Sequence, residues 1–196
     1  ENGLVRDRRA GRIPSEKNRE LVAFLNGRIR AVEDVEVRLY PGEEHRFVLL
    51  LTGDGLDDRL SDADPEAVDA PLKYAQAKDP AAEKTARVVN RFIDLLTAEL
   101  AGKLPANTCL LRGFAKYPAI PSLRELFQLR AAAIAVYPMY KGLAQLVGME
   151  ILETGRTIQD QLATLKARFA EFDFFFVHVK KTDSYGEDGD FARKVG

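Results

Sequence analysis

The feature that most constrains this chain is a change of hydrophobic rhythm after Leu129. Ala131 to Tyr137 is an unbroken apolar run, and Phe172 to Val179 is another. Between them lie a helical pattern over Tyr140–Val147, a short apolar stretch near Met149–Leu152 and an amphipathic pattern over Thr157–Phe169. Strands that are apolar at every position are buried on both faces. When they alternate with helices they build a parallel sheet covered by those helices. This stretch therefore predicts part of a doubly wound sheet.

Upstream the rhythm differs. Val35 to Tyr40 alternates apolar and polar residues, Pro41-Gly42 makes a turn and Arg46 to Leu51 is a second strand, so an antiparallel hairpin is expected. Helices are predicted over Glu16–Asn26, with Ser15 as N-cap, and over Ala81–Leu100. The second starts from Asp79-Pro80, an N-cap followed by proline at the first position. Asp54 to Lys73 reads as an exposed loop, Thr108 to Arg112 as a brief strand, and Ser122 as the cap of a short helix. The fold class expected is α/β, with a mixed α/β domain over 1–129 and a piece of parallel-sheet core over 130–196.

Charge narrows the function. The 196 residues carry 29 Lys plus Arg against 30 Asp plus Glu, a net charge of −1. That balance argues against a nucleic-acid-coating protein but leaves room for a local basic pocket. One cysteine, Cys109, allows no intrachain disulfide, and its apolar surroundings mark it as inert packing. No apolar run is long enough to span a bilayer and no signal peptide is evident, so a cytoplasmic protein is expected.

Two groups of residues carry candidate chemistry. The first is the junction after the last apolar strand, His178-Val179-Lys180-Lys181-Thr182-Asp183-Ser184-Tyr185-Gly186-Glu187-Asp188-Gly189. Ligands bind outside the carboxyl ends of parallel strands, and Asp183 and Glu187 on a glycine-broken loop there suit a hard divalent cation. From spacing alone, a solvated acidic turn is the plainer reading of the same residues. The second group is Arg6, Arg8, Arg9 and Arg12, with His45-Arg46 and Arg112 at strand ends. Guanidinium forks match phosphate and carboxylate geometry, although a solvated basic surface is the plainer reading. Lys141, after an apolar strand, is a further candidate beside an ordinary surface role. There is no glycine-rich phosphate loop, GxSxG elbow or HExxH pair.

Several segments together resemble the archaeal-type, cofactor-independent phosphoglycerate mutases of the alkaline phosphatase superfamily. They are Arg6-Asp7-Arg8-Arg9-Ala10-Gly11-Arg12-Ile13, Glu44-His45-Arg46, Ala106-Asn107 with Leu110-Leu111-Arg112-Gly113, Ala131–Ala135 with Tyr137–Ala144, and His178–Gly189. The resemblance implies a substrate-binding domain inserted into a metal-binding core, matching the boundary near Leu129. It implies a glycolytic and gluconeogenic isomerase that interconverts 3- and 2-phosphoglycerate through a phosphoserine, with two divalent ions (Mn²⁺, Mg²⁺, Co²⁺ or Zn²⁺) and no organic cofactor. Asp183 and Glu187 then look like ligands of one ion. Arg8, Arg9, Arg12, Arg46, Arg112 and Lys141 look like substrate contacts. The family's nucleophilic serine and its Asp-His ligand group fall outside this sequence, so the expected partners are a small phosphorylated carboxylate and the remainder of the core, and this chain alone is expected to be inactive. An oligomer is compatible with the pattern. The alternatives are a metal-dependent phosphatase or phosphonate enzyme on the same core, and a non-catalytic phosphate-binding module.

Overall fold

The computed structural model describes residues 3–187 and 189–195, and the side chains of Asp183, Ser184 and Glu187 lie outside the described set. The chain is an α/β protein that divides into two compact units between Tyr117 and Pro118.

In the first unit, β1 (Leu4–Val5) leads through a tight 3-10 turn at Ala10–Arg12 into α1 (Ser15–Arg28). Strands β2 (Ala31–Val32), β3 (Val35–Pro41) and β4 (Phe47–Thr52) then form an antiparallel sheet in that order, with Val37 opposite Leu51 and Tyr40 opposite Val48. The expected hairpin is present. Its alternation has a plain cause: Val35, Val37 and Leu39 are buried, and Glu36, Arg38 and Tyr40 face outward. The short β5 (Ala70–Pro71) pairs with β1. Helix α2 (Glu83–Glu99) supplies the centre of the core through Val88, Val89, Phe92, Ile93 and Leu96, none more than 1% exposed. Their spacing puts them on one helical stripe, and each such burial stabilises by about 1.5–3 kcal/mol.

In the second unit, α3 (Leu123–Phe127) precedes β6 (Ala131–Ala135), α4 (Pro138–Leu146), β7 (Glu150–Ile151), α5 (Ile158–Arg168) and β8 (Phe174–His178). The three strands form a parallel sheet in the order β7-β6-β8. Every residue of the central β6 is buried, which is why its sequence shows no alternation. Ser122 and Thr157 cap α3 and α5 with reciprocal capping boxes to Glu125 and Asp160. Helices α6 (Lys180–Glu187) and α7 (Phe191–Val195) follow.

Four local expectations change. Residues 54–73 are not simply an exposed loop, because Leu60, Ala63 and Asp64 are buried. Thr108–Arg112 is no strand: it contributes one bridge, Leu111 to Ala63, where backbone pairing is limited to a single rung. Ser15 begins α1 instead of capping it, and its hydroxyl accepts the Glu44 N–H at 2.9 Å. The segment after β8 is helical through Glu187 and not a glycine-broken loop.

Candidate functional site

The first unit carries an open groove of about 1120 Å³. Its floor is the outward face of β4, where Val48 and Leu50 are exposed, and its walls are residues 7–10, 56–64 and 107–117. Arg8, Arg9, Arg46 and Arg112 all line it, from three separate stretches of sequence. Arg12 is exposed on the 3-10 turn and does not line the groove. Lys141 belongs to the second unit, in the first turn of α4, with Nζ 4.0 Å from Glu153.

Each arginine is held differently. Arg8 makes a two-pronged pair with Asp64, Nε to Oδ1 at 3.0 Å and Nη2 to Oδ2 at 2.6 Å. Arg112 approaches the same carboxylate at 3.5 Å and Glu66 at 3.8 Å. The hydrogen bond from Arg8, followed by the Glu66 backbone N–H and the nearby guanidinium charges, holds Asp64 below the usual carboxylate range. Arg46 reaches Glu44 at 3.3 Å. No carboxylate among the described residues pairs with the Arg9 side chain, and the Arg9 backbone N–H donates to Asp7 at 2.7 Å. Gly11, at a φ of 63°, adopts the left-handed turn that lets its own N–H donate to Asp7 as well. These backbone donors hold Asp7 ionised.

The turn that delivers Arg46 is anchored from below. Asn18 of α1 is 4% exposed and its amide donates to the Arg46 carbonyl at 2.5 Å. Beside it, burial and then the Arg46 charge lower the pKa of His45, leaving the imidazole neutral at pH 7. Its Nδ1 is buried and has no hydrogen-bond partner among the described residues, and the ring lines both the groove and a small cavity of about 60 Å³ beside α1. Sequence reasoning missed Asp64, Asn18 and Lys116, a groove-lining lysine whose ammonium lies 3.6 Å from Asp57. Only Asp64 carried a signal, as the one acid of the 57–64 stretch followed directly by proline.

In the second unit, the C-terminal end of the sheet gathers aromatic rings. His178 stacks on Tyr140 with centroids 3.6 Å apart, and the Lys180 ammonium sits 5.6 Å from the Tyr137 ring. Asp183 and Glu187 fall one helical turn apart in α6, and their side chains lie outside the described residues. Among the described residues no group of three His, Cys, Asp or Glu could hold a metal ion. As oxygen donors, the two carboxylates are of the kind that suits a hard divalent cation.

Four arginines thus line one open groove, and guanidinium forks are the donors whose geometry matches carboxylate and phosphate groups. A family model described as 2,3-bisphosphoglycerate-independent phosphoglycerate mutase matches residues 1–105. A probable enzyme of that name from Thermosipho melanesiensis is 54% identical over 195 residues, 100% of this chain and 48% of its own length. A counterpart from Thermus thermophilus is 46% identical, over 98% of this chain and 48% of its own length. The cofactor-independent phosphoglycerate mutase of Thermoplasma acidophilum matches structurally with a TM-score of 0.66 at 27% identity, covering 91% of this chain and 51% of that one. A Pyrococcus horikoshii protein, PH0037, shares the fold with a TM-score of 0.68 at 19% identity. The chain belongs to the 2,3-bisphosphoglycerate-independent phosphoglycerate mutase family. It spans about half the length of the curated relatives it matches.

Proposed function

We propose that this chain is the substrate-binding part, with a portion of the core, of a mutase that interconverts 3-phosphoglycerate and 2-phosphoglycerate. The observation that carries the reading is the meeting of Arg8, Arg9, Arg46 and Arg112 in one groove of a chain from this family. A mutase must keep hold of glycerate while its hydroxyls exchange places at the reacting phosphoryl group. Guanidinium groups on the carboxylate do this without touching the phosphoryl chemistry. Arg12 and Lys141 are assigned supporting contacts from the resemblance. In this reading residues 1–129 form the inserted domain and 130–196 part of the core.

Asp183 and Glu187 would hold one of two divalent ions, Mn²⁺ being our choice over Mg²⁺, Co²⁺ or Zn²⁺. The ions would neutralise charge on the transferring phosphoryl oxygens when bound. The serine that accepts the phosphoryl group belongs to the remainder of the core, which also covers apolar surface of the second unit. Met139, Leu143, Leu162, Phe169 and Phe174, between 43% and 67% exposed there, are the side chains it would cover. The whole enzyme acts in the cytoplasm and in glycolysis.

The test is calorimetric titration of 3-phosphoglycerate into the chain, with and without Mn²⁺, beside an enolase-coupled turnover assay. Saturable binding, lost in an Arg9→Ala/Arg112→Ala double variant, is expected, with no turnover by this chain alone. Turnover by the chain alone would overturn the assignment of the nucleophile, and absence of binding would overturn the assignment of the groove.

A further inference from the structure

Asp64 is only 3% exposed, yet it is a carboxylate on the wall of a groove assigned to anions. Its Oδ1 accepts the Arg8 Nε–H at 3.0 Å and the Glu66 N–H at 2.9 Å. Its Oδ2 accepts from Arg8 Nη2 at 2.6 Å and lies 3.5 Å from Arg112 Nη1. The neighbouring Ala63 pairs with Leu111 through two backbone hydrogen bonds, which brings Arg112 to the same wall. One buried carboxylate thus gathers two guanidinium groups that come from opposite ends of the first unit.

We infer that Asp64 is the positioning residue of the groove, presetting Arg8 and Arg112 as a pair before the ligand arrives. The inference rests on the reading of the groove as the phosphoglycerate site. Long arginine side chains lose rotamer freedom when they clasp a ligand, and a partner that has already fixed them removes that loss from binding. The opposing effect is plain electrostatics, since a carboxylate near the site repels the ligand's acidic groups. The two effects have opposite signs, so a single substitution separates them.

The experiment compares the chain with Asp64→Asn, which preserves side-chain volume and one acceptor oxygen but removes the charge and the second prong. Both proteins are titrated with 3-phosphoglycerate and, separately, with inorganic phosphate, and the arginine Nε–Hε signals are followed by NMR. Positioning predicts at least tenfold weaker binding of both probes, with the Arg8 and Arg112 signals moving to the range of freely rotating arginines. Unchanged or tighter binding would overturn the inference, because a countercharge role gives tighter binding and a purely structural role gives none.

If wild-type chain binds phosphate but shows no preference for 3-phosphoglycerate, the functional reading fails, and the phosphate titration still judges Asp64. If neither probe binds, the arginine signals judge it alone: fixed in the wild type and freed in the variant, or the inference is wrong. If Asp64→Asn does not fold, Arg8→Lys replaces it, keeping the charge but not the fork. A tenfold loss is expected there as well, and wild-type affinity would refute the inference.

Discussion

The sharpest test of how the groove is built lies beneath it, at Asn18. This side chain is 4% exposed, and its amide donates to the carbonyls of Arg46 at 2.5 Å and Gly42 at 3.3 Å. The Gly42 N–H closes the same turn on the Arg46 carbonyl at 2.8 Å, and the Ser15 hydroxyl accepts the Glu44 N–H. Helix α1 therefore clamps the hairpin turn that carries His45 and Arg46. Asn18→Ala removes two hydrogen bonds at about 1 kcal/mol each and leaves a small void, for a loss of about 2–4 kcal/mol. Against a typical total of about 5–15 kcal/mol this is large, and for a unit of this size it lowers the melting temperature by about 10 °C. Scanning calorimetry and urea titration followed by far-UV circular dichroism measure it. Asn18→Asp is expected to cost more, because a carboxylate there would face two carbonyl oxygens.

Asn26→Ala separates stability from function. Asn26 makes two hydrogen bonds of 2.9 Å with the backbone of Leu39, within β3 and outside the turn that Gly42 and Arg46 close. It should destabilise as much as Asn18→Ala yet leave phosphate affinity intact, whereas Asn18→Ala should also weaken phosphate binding through Arg46. A loss below about 0.5 kcal/mol for Asn18→Ala, or equal affinity changes in the two variants, would refute the clamp.

Three further outcomes are expected. Asp7, Asp57 and Asp64 all titrate below the ordinary 3.8, through backbone donors, Arg59 and Arg8 respectively. Depressed carboxyl groups stabilise above their unfolded pKa and lose that contribution as pH falls through the folded value, so the melting temperature should hold from pH 7 to about 5 and fall below about pH 4. Burial pushes the Cys109 thiol up to about 12, so a thiol reagent should label it at neutral pH only after denaturant unfolds the first unit. Gly148 has a φ of 76°, and a Cβ there would lie 2.6 Å from the Ser122 Cβ. Gly148→Ala should cost about 1–3 kcal/mol and release the Ser122 cap, read as faster hydrogen exchange at the Glu125 amide.

The elements legible from sequence are those whose signal is local. Ala131–Ala135 announces itself because a strand buried on both faces must be apolar at every position, Phe174–His178 by its continuous run of phenylalanines although its residues are only half-buried or exposed, and Asp79 and Ser122 because a cap is satisfied within three residues. The arginines were legible as chemistry, since their type alone specifies what they recognise. Their meeting in one groove was not, because it depends on β4 and on residues far away in the chain. Asp64 was hidden for the same reason: within Ser61-Asp62-Ala63-Asp64-Pro65 only the following proline sets the buried acid apart from its solvated neighbours, and a proline says nothing of a distant arginine. Asp57, Asp58 and Asp62 of that stretch also turn out to have distant work, holding Lys116 and the backbone of Gly113 and Lys116. An acid-rich segment that looked like a solvated loop is the fastening for residues 112–117.

That fastening also ranks the arginines. An incoming anion finds each guanidinium held to a different degree, most firmly where the pair is buried and two-pronged. Arg8 meets that description through Asp64. Arg46 has one contact to half-exposed Glu44, Arg112 has only long contacts, and Arg9 has none among the described residues. Arg9 is therefore the group with most to gain from a ligand, whereas Arg8 and Arg112 meet it as the pair that Asp64 has already placed, each guanidinium carrying N–H groups beyond those the carboxylate takes.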